Sequence, residues 1–118
     1  MKITRNRIFK APVDVLIPDG EATRTETFIG HFAALPSDEL ASWPGTSLPD
    51  QDENLRRVLV GWDGLKDDSE DVGPADGAEL PDFGFSPENR DTLIRDLFIR
   101  RALLKTYAVA LSGAKRGN

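Results

Sequence analysis

The sequence predicts an α+β fold: an N-terminal β-hairpin packed with a small bundle of about three to four helices, with an acidic flexible loop between two of the helices. Two patterns predict it. Over residues 13–33, apolar and β-branched residues alternate at a period near two on either side of an Asp-Gly turn. Over residues 87–111, apolar residues instead recur at spacings of three and four. A length of 118 residues is that of one domain, so residues 1–118 are read as a single unit with a modest core.

Each element follows from local chemistry. Val13, Val15 and Ile17 alternate with Asp14 and Leu16, and Pro18-Asp19-Gly20 then turns the chain. In the returning run, Thr25, Thr27, Ile29, His31 and Ala33 share one face; Glu26, Phe28, Gly30, Phe32 and Ala34 share the other. Phe28 and Phe32 are expected in the core and His31 on the opposite face. Ser37 reads as the N-cap of a short helix with Asp38 and Glu39 in its first turn, broken by Trp43-Pro44-Gly45. A second helix is expected from Asp50 or Gln51 to about Val60, with Leu55, Val58 and Leu59 on its buried side and Gly61-Trp62-Asp63-Gly64 as its stop. Residues 63–85 read as a mobile acidic loop with Leu80, Phe83 and Phe85 as anchors on its return. Ser86 is an N-cap, with Pro87 at the first helical position and Glu88 at the second. The stripe Leu93, Leu97, Leu104, Tyr107 and Leu111, widened by Ile94, Phe98 and Leu103, makes the longest helical segment. Asp96 has the chemistry of an internal cap that splits it in two. Ser112-Gly113 is a stop, and residues 115–118 are expected to fray.

The net charge of −5 is unevenly placed. Residues 63–82 hold eight acids and one base, a local −7, so the other 98 residues carry +2. From Arg100 onward there are five bases and no acid. The total therefore says little about an acidic or basic ligand. The absence of cysteine excludes disulfide scaffolds, thiolate metal sites and thiol catalysis. Residues 1–10 lack the apolar core of a signal peptide, and no window approaches the ~18 apolar residues of a membrane span. A soluble protein with no membrane partner is expected.

Candidate chemistry is sparse. His31 has no local nucleophile or carboxylate in a recognisable arrangement and reads as structural. Asp67, Ser69 and Asp71 alternate as calcium ligands do, but Val72 stands where the loop needs glycine and Ala78 where it needs glutamate. Gly61-Trp62-Asp63-Gly64 lacks the Lys-Ser/Thr pair of a phosphate loop; it reads as a helix stop, with Trp62 packed on the hairpin. Arg100, Arg101 and Lys105 share one side of the last helix, opposite much of the leucine stripe, with only Tyr107 as a nearby aromatic. Pairing with Asp91, Asp96 or the acidic loop accounts for these bases better than nucleic acid does. No catalytic, cofactor or metal site is expected; a binding or assembly module is.

Several segments together resemble a known family. They are Val58-Leu59-Val60-Gly61-Trp62-Asp63-Gly64, an acidic loop, Phe85-Ser86-Pro87-Glu88-Asn89, Arg101-Ala102 ahead of Tyr107, and Ala110-Leu111-Ser112-Gly113-Ala114. In this order they are similar to the tail assembly chaperones of long-tailed phages and prophages, where VxVGWxG, PFSxEN and RxAxxxxYxxALSGA recur. The resemblance covers about residues 8–114. Two departures are visible: Phe83-Gly84-Phe85-Ser86 replaces the family's Pro-Phe-Ser, and Asp96-Leu97-Phe98 lacks a proline found between the family's last two helices.

The resemblance implies a non-enzymatic protein of the host bacterial cytoplasm, absent from the mature virion. Such a protein binds the tape-measure protein and keeps it soluble until tail-tube subunits assemble around it; tail-tube protein and self-association are further partners to weigh. A frameshifted longer product accompanies many family members. Partner contacts are expected on Leu97, Phe98, Arg100, Arg101, Leu104, Tyr107 and Leu111, because an amphipathic helix offers such side chains to a client. The other class of reading is a structural tail-completion or head–tail joining protein; a nucleic-acid-binding regulator ranks below it.

Overall fold

The computed structural model describes residues 1–3, 7–67 and 80–112. Its order is β1 (Ile8–Asp19), β2 (Ala22–Ala33), α1 (Ser37–Leu40), α2 (Leu48–Val58), β3 (Leu59–Asp63), α3 (Pro87–Arg95) and α4 (Leu97–Ser112). The class is α+β, with the hairpin packed against helices as expected. The sheet has three antiparallel strands in the order β1-β2-β3.

The hairpin closes through a two-residue loop between the paired residues Asp19 and Ala22, where Gly20 takes φ 66°. A mirror-image turn needs such a positive φ. Residues flanking a two-residue loop exchange both backbone hydrogen bonds, and this bonded character then alternates along the strand. Odd residues of β1 therefore bond to β2, and even residues aim their N–H and C=O groups outward. Pro12 and Pro18 are both even, so their missing N–H groups fall on the open edge and cost the ladder nothing.

The third strand corrects the sequence reading. The second helix runs Leu48–Val58, starting two residues before Asp50 and stopping short of Val60, and Leu59–Asp63 is a strand rather than a helix stop. Leu59 leaves the helix at φ −88°, ψ 103°, and the backbone pairing of Leu59–Asp63 then satisfies the free edge of β2, with Leu59 and Trp62 in the core, Val60 exposed and a register shift between His31 and Phe32. Gly61 lies opposite His31, where a Cβ would sit 2.9 Å from the imidazole Nδ1. That close approach, and not a turn, is what requires glycine.

The helix starts differ in how they are capped, and Ser47 is a cap the sequence reading does not name. At α1 the N-cap is Pro36 and Ser37 is already helical, with no side-chain cap, so the predicted Ser37 cap is absent. At α2 the cap is Ser47, whose Oγ accepts from the Asp50 N–H at 3.2 Å. At α3 Ser86 caps as predicted, accepting from the Asn89 N–H at 3.0 Å. Asp96 does split the last segment: it takes φ −77°, ψ 122°, and its Oδ1 accepts from the N–H groups of Phe98 (2.9 Å) and Ile99 (3.0 Å). No proline is needed to bend the chain there.

The core lies between one sheet face and the helices. Val13, Val15, Phe28 and Phe32 meet Leu55 and Val58 from α2, Leu93 and Ile94 from α3, and Leu103 and Tyr107 from α4. Tyr107 is fully buried; its hydroxyl donates to the Ala33 carbonyl (2.7 Å) and accepts from the Leu35 N–H (2.9 Å). Phe9, Phe32 and Trp43 surround its ring, the last at 4.6 Å between centroids.

The described ends of the acidic segment form a stem. Lys66 and Asp82 bridge, Asp67 N–H donates to the Pro81 carbonyl and Phe83 N–H to the Leu65 carbonyl. Phe83 and Phe85 act as return anchors on Trp62, whose indole N–H donates to the Phe83 carbonyl at 2.6 Å. Residues 68–79, which carry most of the predicted loop and the calcium-like spacing, and the predicted stop and tail at 113–118 lie outside the described residues.

Candidate partner-binding groove

The antiparallel hairpin leaves β1 as an outer strand, and α4 packs along it. Between them runs an open groove of about 910 Å³. Lys10, Pro12, Asp14 and Leu16 line it from β1; Phe98, Ala102 and Val109 line it from α4. Leu16 and Val109 are 55% and 43% exposed, so apolar surface stays in water here. Among the described residues, the even-numbered backbone groups of β1 have no hydrogen-bond partner.

The rim is basic. Lys10, Arg101 and Lys105 face Asp14 alone, and the Asp14 carboxylate already accepts from the Thr27 hydroxyl at 2.7 Å. Arg101 and Lys105 fall at i and i+4 on α4, so they share one side of it. Neither has an ion-pair or hydrogen-bond partner among the described residues. Lys10 stands 4.0 Å from Asp63, both well exposed. Asp63 also takes the His31 Nε2 at 2.9 Å, and that bond holds its carboxyl below the usual carboxylate range. His31 is thus a clasp between β2 and β3, as a structural histidine would be.

The residues read as partner-binding separate into three groups. Phe98, Arg101 and Leu111 come together in the groove wall. Leu97 is exposed at the start of α4, outside the groove, and Leu104 is half-buried against the core. Arg100 and Tyr107 are interior. Arg100 is only 9% exposed and pairs with Asp52 of α2, not with Asp91 or Asp96 as the sequence suggested; Asp91 pairs instead with Arg56 at 3.0 Å. Tyr107 uses both its ring and its hydroxyl inside the fold.

Sequence reading overlooked the β1 half of the groove. A signal was present: two prolines of equal parity in one strand mark an edge, and Leu16 and Lys10 share that parity. Elsewhere among the described residues, no group of three or more His, Asp or Glu side chains is placed to hold a metal ion, and no helix is long and apolar enough to cross a membrane. No family model, curated protein or solved structure matches the chain.

Proposed function

We propose that this chain is a non-enzymatic tail assembly chaperone of a long-tailed phage or prophage. It binds the tape-measure protein and keeps it soluble in the host cytoplasm while the tail tube assembles, and it leaves before the virion is complete. The observation that carries the binding half of this reading is the basic, apolar-floored groove along α4, which joins Phe98, Arg101 and Leu111 to an open strand edge. The order of the Val58–Gly64, Phe85–Asn89 and Arg101–Ala114 segments carries the identity of the client.

Co-expression with a tape-measure protein encoded beside this chain tests it. The expected result is a soluble complex that co-purifies, with this chain missing from mass spectra of purified particles. An insoluble client overturns the reading. A stoichiometric band in the particles overturns it in favour of a tail-completion or head–tail joining protein.

A further inference from the structure

We infer that the groove takes its partner by strand addition: an extended segment, apolar on one face and acidic on the other, pairs with the outer edge of β1 and lies under α4. The inference rests on reading the groove as a partner site, and it adds the mode of binding and the chemistry of the occupant.

The edge is built for one more strand. From Lys10 to Leu16 it spans about 20 Å at ~3.3 Å per residue, room for roughly seven residues of extended chain. The outward carbonyls of Lys10, Pro12, Asp14 and Leu16 accept, and the outward N–H groups of Lys10, Asp14 and Leu16 donate. Pro12 withholds a donor at the middle of the edge, which weakens indiscriminate sheet extension and leaves specificity to side chains. Those come from α4: Phe98, Ala102 and Val109 offer an apolar floor, and Arg101 and Lys105 a positive rim.

Charge selects the occupant. A second copy pairing β1 to β1 about a two-fold axis would bring two such rims, with Arg101 and Lys105 doubled, onto one edge; like charges there are unfavourable. An acidic segment instead meets Arg101 and Lys105, with Asp14 as the acid in the lining, and Lys10, which Asp63 already offsets in part at 4.0 Å. Strand addition also predicts an alternation in the ligand itself. Only every second residue of an added strand aims its N–H at β1, and the others aim away.

The probe is a fluorescein-labelled heptapeptide of alternating Glu and Val, read by fluorescence anisotropy against the full chain. Two further versions carry backbone N-methyl groups, one on the Val amides and one on the Glu amides; another replaces Glu with Lys. The Glu–Val peptide is expected to bind, with one N-methylated version about as tight as the parent and the other at least about tenfold weaker. The Lys version should bind at least about tenfold more weakly, and the double variant Arg101→Glu/Lys105→Glu should reverse that preference. Equal affinity of the two N-methylated versions overturns strand addition, equal affinity of the Glu and Lys versions overturns the acidic occupant, and no binding overturns both. A dimer in sedimentation that is lost on Leu16→Lys assigns the edge to a second copy, also overturning the inference. A client that co-purifies while these peptides fail removes the mode and leaves the chaperone reading. Peptides that behave as expected without client co-purification do the reverse.

Discussion

Replacing Tyr107 with Phe removes one oxygen that holds two chain segments together. The hydroxyl is the acceptor for the Leu35 N–H and the donor to the Ala33 carbonyl, so it fastens α4 to the exit of β2. The ring itself stays, and with it the contacts to Phe9, Phe32 and Trp43. What is lost is the satisfaction of one donor and one acceptor, each costing about 1–3 kcal/mol when left unmade in the interior. Leu35 and Ala33 are half-buried and water reaches part of them, so about 2 kcal/mol in all is expected. At about 2.1 cal/mol/K per residue, a chain of 118 residues then loses about 8 °C in Tm. Urea unfolding followed by tryptophan fluorescence measures the loss, and an unchanged slope keeps it attributable to stability. A loss below about 0.5 kcal/mol would refute the clamp. The pH dependence gives a second readout, because Tyr107 is the only tyrosine. Burial raises its phenol above the ordinary 10.0, outweighing the Leu35 N–H and nearby Arg57, which favour the phenolate. Below pH 10 the phenol is protonated in both folded and unfolded chains and contributes no slope. Above it the unfolded chain ionises first, so stability falls with rising pH until the folded phenol ionises as well. Absorbance of tyrosinate should therefore rise at higher pH in the folded protein than in urea, and Tyr107→Phe should lack that alkaline component of stability. Coincident titrations in the two states would refute the argument from burial.

Three further substitutions probe separate joints of the fold. Asp96→Ala deprives Phe98 and Ile99 of the first acceptor of α4 and should cost about 1 kcal/mol in urea unfolding, with Asp96→Asn retaining much of the cap. Asp52→Ala leaves the Arg100 guanidinium, 9% exposed and with Nη1 already unpartnered, as a buried charge; a loss of about 3 kcal/mol is expected. The double variant Asp52→Ala/Arg100→Met should be more stable than Asp52→Ala alone, and the opposite order in a double-mutant cycle would reject a buried pair. Gly61→Ala forces a methyl to 2.9 Å from the His31 ring and should cost about 1–2 kcal/mol, a penalty that should largely vanish in a His31→Ala background when both are measured by equilibrium unfolding.

Much of the fold is legible in the sequence where the chemistry is local. The alternation of Val13, Val15, Phe28 and Phe32 specified the hairpin and its buried face, and Ser86-Pro87 and Asp96 marked helix starts that depend only on neighbouring N–H groups. Ser37 is a local exception, since Pro36 takes the cap position of α1 and leaves it without a side-chain cap; the other failures share a cause. Leu59–Asp63 has a short apolar run whose period does not separate strand from helix, and the edge of β2 that captures it is about thirty residues away. Arg100 and Arg101 are adjacent cations with equivalent local surroundings; only the approach of α2, carrying Asp52, buries one and leaves the other exposed. The helical spacing places Tyr107 in a stripe open to a partner, but a stripe does not say which of its residues the fold itself consumes. The groove was half legible for the same reason: its α4 wall lies on a pattern seen in sequence, whereas β1 joins it only through tertiary packing.

That division of the cations makes the groove testable apart from the fold. Arg56 and Arg57 pair with Asp91 and Glu39, Arg90 donates to the Arg56 carbonyl, and Arg100 pairs with Asp52; these hold α1, α2, α3 and α4 in place. Arg101 and Lys105 have no such duty among the described residues, although they sit on the same helix. A surface charge without a partner can be reversed within about 0.5 kcal/mol of the original stability. Charge reversal at Arg101 and Lys105 should therefore leave the urea midpoint nearly unchanged while altering what the groove accepts. The same reversal at Arg100 would do the opposite, unfolding the packing between α2 and α4 before any partner is met. Two adjacent arginines thus separate stability from recognition, and a binding defect at Arg101 with an intact fold is informative because Arg100 carries the structural load.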